Sequence, residues 1–494
     1  MANEVTKLNG IAIANITDLN GITDANLAKI NGQEFTGSTD AQLVTFATQY
    51  TSGSAIDGGT GFNGSGSTRS SATQLAFDPD TNQVIIAFSD HGNSTRCTIR
   101  IGTVSGTTIT FGDKIVTDTS HTGVNATGCH YDKVNDRLIV IQSDPYSIYT
   151  GTGGIYATAF ELNSSRGVDT QGTTTEVFQS SSGHSVSTNN LSEIQEHDGV
   201  VDVLYEDKGD GDDNYVKTVR INDASACSLT ISSGTEFDDD SNNYFGIAYS
   251  PDEDKNLLIY VDGNTLKGRT ITHFSGDPSL GSAASFPVGY SELDAAEGHG
   301  GRAMIYDTEH NKFHFIFRYN ASNSNNATND YLYISNASIS GTTVTFANTG
   351  NPTTTMNNTL EISDLRYGSH QGSNYAGAGL IYSHQRQRII MHGNSSNSET
   401  GSTKKFHVID YNGSSYTKSS SPIDIYTASG APWDTGAIRT GDESGTLGNV
   451  NSILTDNASG ILGTVNLVAY FSYGGSNDGK TFIQGIDAGD STIS

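Results

Sequence analysis

The sequence predicts an all-β protein, and three observations carry that prediction. A strand–turn–strand pattern returns along most of the chain, no helical period is sustained from residue 41 onward, and turn-forming Ser, Thr, Asn and Gly are abundant. The best copy of the pattern runs from Ala72 to Thr117. Thr73–Phe77 reads as a first strand, Asp78-Pro79-Asp80-Thr81-Asn82 as a turn with Pro at its favoured position, and Val84–Phe88 as a second strand. A polar loop leads to Cys97–Val104, and Ser105-Gly106 turns the chain into Thr107–Phe111. Four short strands in a meander make one blade of a β-propeller.

The opening strand–turn–strand recurs with its turn-opening residue at Asp78, Asp132, Asp198, Ser250, Asp307, Ser383 and Asp456. The steps between these positions are roughly 50–75 residues, at or above the ~40–50 of common propeller repeats, as expected with longer loops. Seven openings predict seven blades. The last copy holds only three strand candidates, Val450–Leu454, Val465–Phe471 and Thr481–Ile486. Residues 42–49 precede the first full blade, have no blade of their own and resemble the outer-strand segment Thr107–Phe111. They are expected to complete the last blade, closing the circle and hiding the sheet edges. With Trp433 as the single Trp, the aromatic load falls on 23 Tyr and 19 Phe.

Ahead of the body stands an arm, residues 1–37, with the propeller assigned to 38–494. Leu8-Asn9-Gly10, Leu19-Asn20-Gly21 and Ile30-Asn31-Gly32 recur with a constant spacing. Asn-Gly suits a turn with two positive φ angles and so favours tight hairpins. Alternation in Gly10-Ile11-Ala12-Ile13-Ala14 fits a short strand. Such small units bury too little apolar surface to stand alone. Ile11, Ile13, Ile16, Ile22, Leu27, Ile30 and Phe35 therefore need a partner surface: the main body, sister chains or another protein. The preferred expectation is an anchoring and oligomerising arm.

Composition excludes several functions. With 54 Asp and Glu against 26 Lys and Arg, the net charge is -28. That excess argues against tracking nucleic-acid phosphates and against adsorption to anionic lipid. No stretch is apolar for long enough to form a membrane-spanning helix, and the first residues show no secretory signal pattern. Cys97, Cys129 and Cys227 are spaced for neither a disulfide framework nor a zinc site, so folding in a cytoplasm is expected.

Signals for chemistry are sparse. The run Glu206-Asp207-Lys208-Gly209-Asp210-Gly211-Asp212-Asp213-Asn214 clusters carboxylates with Gly on a loop, a donor set that suits Ca²⁺. Asp207, Asp210 and Asp212 are its candidate ligands, although the helix–loop–helix calcium spacing is absent. A solvated hairpin loop is the competing reading, and no other cofactor is expected. His91, His130, His197, His299 and His384 sit beside predicted turns without metal-ligand spacing. The Gly runs at 58–66 and 372–379 lack the Lys and helix of a phosphate loop. A glycosidase needs two carboxylates at a separation that sequence cannot supply. No catalytic residue is assigned, and the protein is expected not to be an enzyme.

Two resemblances add to this reading. Ser476-Asn477-Asp478-Gly479-Lys480-Thr481-Phe482 is similar to the Asp-box turn of sialidases and related propeller glycosidases, one residue shorter and with Phe in place of Trp. Such a turn braces a hairpin away from catalysis, so it supports the fold alone. Arg302, Arg366 and Arg439 are scattered, and the Arg-Ile-Pro opening of that family is absent. The pairing of Lys7-Leu8-Asn9-Gly10-type repeats with the endings Ser105–Phe111 and Ser340–Phe346 resembles virion proteins of tailed phages, particularly those of marine and cyanobacterial hosts. The resemblance implies a virion structural protein assembled in the host cytoplasm. Its arm would attach to other virion proteins of the capsid or tail, and its propeller would be displayed outward as a homo-oligomeric fibre, knob or decoration. Absence of a coiled-coil or β-helix shaft favours a short appendage. Loops rich in Asn, Ser, Tyr and Asp suit host surface glycans. The alternative is a polysaccharide-degrading glycosidase or depolymerase on the same fold.

Overall fold

In the computed structural model the described residues are 7–8, 11–12, 18–19, 22–23, 29–30, 33–34, 41–44, 73–78, 81–90, 93–94, 96–105, 108–122, 124–132, 134–144, 153–180, 195–197, 200–207, 213–239, 245–262, 265–272, 276–286, 304–319, 331–348, 358–366, 368–370, 373–375, 379–383, 386–394, 404–424, 451–454, 465–472, 480–489 and 493. Among them every regular element of more than one turn is a strand. The first sheet runs Thr73–Asp78, Gln83–Asp90, Arg96–Ser105 and Thr108–Phe111, with Ile115–Val116 returning to pair with the third strand. The second repeats the plan with Asn125–Asp132, Arg137–Asp144, Gly154–Leu162 and a broken outer strand, Val168–Gln171 and Thr175–Gln179. The third begins at Gln195–His197 and continues through Val200–Asp207, Asp213–Asp223, Ser228–Ile231 and Thr235–Asp238. The fourth uses Phe245–Ser250, Lys255–Asp262, Thr265–Thr272, Ser279–Leu280 and Ala284–Ser285.

The next two meanders belong to one ten-stranded sheet. Met304–Asp307, Lys312–Tyr319, Tyr331–Ser340 and Thr343–Phe346 form the fifth blade; Gly379–Ser383, Arg388–Asn394, Lys404–Tyr411, Tyr416–Lys418 and Ile423–Asp424 form the sixth. Between them Thr359–Arg366 pairs along Tyr331–Ser340 and meets the sixth blade where Arg366 lies opposite Asn394. The last sheet holds Asn451–Leu454, Val465–Ser472 and Lys480–Asp487. Its fourth strand is Gln42–Val44, with Gly485 opposite Val44 and Asp487 opposite Gln42. Residues 45–49 lie outside the described residues.

The blades form a ring because their central strands are apolar on both faces. Val84, Ile85, Ile86, Ala87 and Phe88 are each 0% exposed, which a one-sided sheet with alternating residues cannot achieve. Thr73–Asp78 packs on Asn125–Asp132, and the second and third sheets meet through Ile139, Ile141, Val201 and Val203. Leu204 and Val216 of the third pack with Ile247 and Leu258 of the fourth. Gln195–His197, Phe245–Ser250, Met304–Asp307 and Gly379–Ser383 then pack in succession, and Asn451–Leu454 returns to Thr73–Asp78. The fold is a β-propeller.

The arm is a row of two-stranded hairpins. Leu8 pairs with Ile11, Leu19 with Ile22 and Ile30 with Gln33, leaving Asn-Gly between the partners each time. Each is a two-stranded sheet of its own. A two-residue Asn-Gly loop is the connection whose twist matches a hairpin. Ile13, Ile16, Leu27 and Phe35 lie outside the described residues.

A charged clamp secures the closing sheet. Arg386, in the first turn of the sixth blade, donates from Nε to Asp487 Oδ1 and from Nη2 to Asp487 Oδ2, both at 2.9 Å. Arg388 donates to the Ala488 carbonyl at 3.3 Å and pairs with Asp410 at 2.8 Å. The Arg386 and Asp487 side chains are 9% and 8% exposed, so neither charge is well solvated. Arg386→Ala leaves Asp487 buried without its fork and is expected to cost about 3–5 kcal/mol. Denaturant unfolding of the variant checks this, and Asp487→Asn in the same background should then add little.

Candidate functional site

Alternating strand direction sorts the connections to two ends of the propeller. First-to-second and third-to-fourth connections share one end; second-to-third and blade-to-blade connections share the other. Those at the first end are mostly short in sequence: 79–82, 106–107, 133–136, 198–199, 224–227, 251–254, 308–311, 341–342, 384–387 and 412–415, with 163–167, 273–278 and 455–464 longer. Those at the second include 45–72, 145–153, 180–194, 286–303, 320–330, 395–403 and 425–450. Gln42–Val44 runs from the tight-turn end towards the long-connection end, so the arm joins the propeller at the tight-turn end.

Five of the first-to-second turns are built to one pattern. An aromatic residue precedes the opening Asp or Ser in Phe77-Asp78, Tyr131-Asp132, Tyr249-Ser250, Tyr306-Asp307 and Tyr382-Ser383. Four residues after each opener comes a left-handed residue: Asn82 (φ 55°), Asp136 (56°), Asp254 (51°), Asn311 (53°) or Gln387 (54°). Asn and Asp tolerate that conformation because their short polar side chains bond locally. The opener accepts turn amides, as Asp132 does from Val134 N at 2.9 Å and Asp307 from Glu309 N at 2.8 Å. The tyrosine then reaches into the turn. Tyr131 donates to Asp136, Tyr249 to Asp254 at 3.0 Å, and Tyr306 to Asp252 of the preceding blade at 2.8 Å. Burial first, and then facing carboxylates, push the Tyr131, Tyr306 and Tyr382 hydroxyls well above their ordinary range.

At the long-connection end Asp118, His121, Gln142 and Tyr156 form a polar cluster. His121 Nδ1 bonds the Asp118 carboxylate, Gln142 donates to the same oxygen at 3.4 Å, and the His121 ring stacks on Tyr156 at 3.9 Å. Burial pushes the Asp118 carboxyl up, but bonds from His121 and from the Ser120 amide outweigh it and hold the group below its usual range. A part-exposed imidazole beside an aromatic ring can exchange hydrogen bonds with ligand hydroxyls.

Of the sequence-predicted ligands only Asp207 is described, at this same end. Asp207 closes the strand Val200–Asp207 opposite Asp213, while Asp210 and Asp212 lie outside the described residues. Among the described residues no group of three His, Cys, Asp or Glu side chains is placed to hold a metal ion. His130 and His197 lie in first strands of their blades; His91, His299 and His384 are outside the described residues. Arg366 ends the bridging strand, and Arg302, Arg439 and residues 476–479 are outside the described residues. No helix of the described residues is long and apolar enough to cross a membrane.

No family model and no curated protein matches the chain. Solved structures do. An α-L-arabinofuranosidase of Fusarium graminearum complexed with arabinobiose is similar at 9% identity and a TM-score of 0.43, over 88% of this chain and 96% of that one. A protein from Lactobacillus plantarum is similar at 11% identity and a TM-score of 0.41, over 72% and 85%. Hydrazine synthase of Kuenenia stuttgartiensis follows at 9% identity and a TM-score of 0.39, over 71% and 80%.

Three features of the propeller escape a reading by spacing alone. They are the tyrosine hydroxyls that enter the turns, the Arg386–Asp487 clamp, and a buried chain from Asn336 to Asp307. In that chain Asn336 donates to Tyr416 OH at 2.9 Å, Tyr416 lies 2.8 Å from His314 Nδ1, and His314 Nε2 lies 3.3 Å from Asp307. The aromatic-before-opener pattern was the available signal for the first.

Cys97 is fully buried, and burial pushes it up to about 12. It should resist thiol reagents in the native state and react once the protein is unfolded, as mass spectrometry after timed labelling will read. Tyr131→Phe and Tyr306→Phe should each cost about 1–2 kcal/mol, because each leaves a carboxylate short of a donor. They sit in different blades, so the double variant should lose the sum of the two in denaturant unfolding.

Proposed function

We propose that this protein is a virion appendage: an arm attaches to other virion proteins and to sister copies, and a seven-bladed propeller is displayed outward to contact host surface glycans. Its work is attachment and not turnover. The single observation that carries the reading is polarity. The arm joins the propeller at the tight-turn end, while the long connections gather at the opposite end. An anchored body is thus oriented with its most variable-length segments away from the anchor, which is where loops acquire binding roles.

The arm's construction supports the same reading. Its hairpins are separate two-stranded sheets, a size that is marginal in water without a partner surface. The propeller closes with Gln42–Val44, which lies after the arm in the chain, so the ring does not use the hairpins as blade strands. A net charge of -28 suits display in salty water and disfavours contact with nucleic acid.

Mass in solution tests the proposal. The full chain should be oligomeric, and a chain beginning at Thr36 should be a monomer with the same thermal midpoint. Two monomers of equal stability overturn self-assembly through the arm. A truncated chain that no longer folds overturns the separation of arm from propeller.

A further inference from the structure

Among the described residues two histidines are fully buried at one seam of the ring: His314 sits in a hydrogen-bonded chain that crosses it, and His407 lies against a carboxylate of the strand that bridges it. His314, on Lys312–Tyr319 of the fifth blade, has 0% side-chain exposure. It faces Asp307 and His310 from its own blade, Lys312 on its own strand, and Tyr411 and Tyr416 from the sixth. His407, on Lys404–Tyr411 of the sixth blade, is likewise 0% exposed. Its Nε2 lies 2.9 Å from Asp364 on the bridging strand Thr359–Arg366, its Nδ1 lies 2.9 Å from Ser419 Oγ, and Lys418 faces it beside Asp364. Gln387 of the sixth blade donates to Glu309 of the fifth at 2.6 Å, and Tyr382 of the sixth faces Asp307 of the fifth.

We propose that the junction between the fifth and sixth blades is an acid-sensitive seam, which loosens when His314 and His407 take up protons. The chemistry follows from donor counting. With neutral His314, Nε2–H donates to Asp307 and Nδ1 accepts the Tyr416 hydroxyl, whose oxygen accepts from Asn336. Adding a proton at Nδ1 turns that acceptor into a donor. Tyr416 must then accept twice, and its own proton loses its acceptor inside the protein, which costs the desolvation of a buried donor. His407 meets the same conflict at Ser419, whose hydroxyl oxygen already accepts the Val408 amide at 3.3 Å.

The pH window has a definite sign. Burial pulls both imidazoles below their ordinary range, ahead of the opposing pull of Asp307 and Asp364. A histidine that resists protonation in the closed ring and accepts it when released contributes stability above about pH 6.5, and that stability is lost as pH falls. Each such histidine shifts the opening equilibrium by up to about tenfold per pH unit. Asp307 and Asp364 are held below the usual carboxylate range, so their contribution disappears only below roughly pH 4. Between about pH 5 and pH 6.5 the histidines act without them.

Hydrogen exchange of the full chain at about pH 7 and about pH 5, corrected for intrinsic rates, tests the seam. Peptides spanning 312–319, 359–366 and 404–418 should open at least tenfold more readily at the lower pH, while 84–88 and 138–141 change little. Uniform change across all blades, or no change at the seam, overturns the proposal. His314→Gln and His407→Gln keep one donor and one acceptor but cannot titrate, so their combination should abolish the difference. A difference that persists in the folded double variant overturns the assignment to these residues. Where that variant does not fold, the peptide pattern of the natural chain decides alone.

Discussion

A strand that is apolar on both faces needs a neighbour on each side, and the rest of this structure depends on that constraint. Val84 to Phe88 in the first blade and Leu257 to Tyr260 in the fourth expose essentially nothing on either face. A stack of such sheets would leave two outer faces uncovered. A ring has no outer sheet face, since each blade covers the next. Closure through Gln42–Val44 and the Arg386–Asp487 clamp is therefore a requirement of the packing.

Polar groups inside such a ring have to be settled within the protein. The propeller meets that demand with short chains placed where blades touch: Asp202 with Thr218 and Asn256, Thr117 with Gln142 and Asp118, and Asp307 with His314, Tyr416 and Asn336. Their low-dielectric setting strengthens satisfied bonds and penalises any change in proton count. Tight packing and sensitivity to protonation thus come from one arrangement. The fifth and sixth blades add a bridging strand, Thr359–Arg366, and Asp364 on that strand ties the bridge to His407.

The two ends of the propeller differ in their connections. Five turns at one end repeat an aromatic residue, an Asp or Ser opener and a left-handed Asn, Asp or Gln. The other carries connections of unequal length and a part-exposed cluster at Asp118, His121 and Tyr156. The arm enters at the first end.

Local chemistry made much of this readable from the sequence. Asn-Gly at a constant spacing announces hairpins because few other dipeptides adopt two positive φ angles, and the hairpins at Leu8–Ile11, Leu19–Ile22 and Ile30–Gln33 follow. The openers Asp78, Asp132, Ser250 and Asp307 announce their turns because a side chain capping its own amides acts over three residues. The all-β class followed from such short-range rules. Long-range partners were not readable. Nothing in spacing says that Arg386 meets Asp487, that Tyr306 reaches Asp252 of the blade before, or that His314 and His407 end at one seam. Those pairings are made where separate blades come together, and only ring closure decides which surfaces meet.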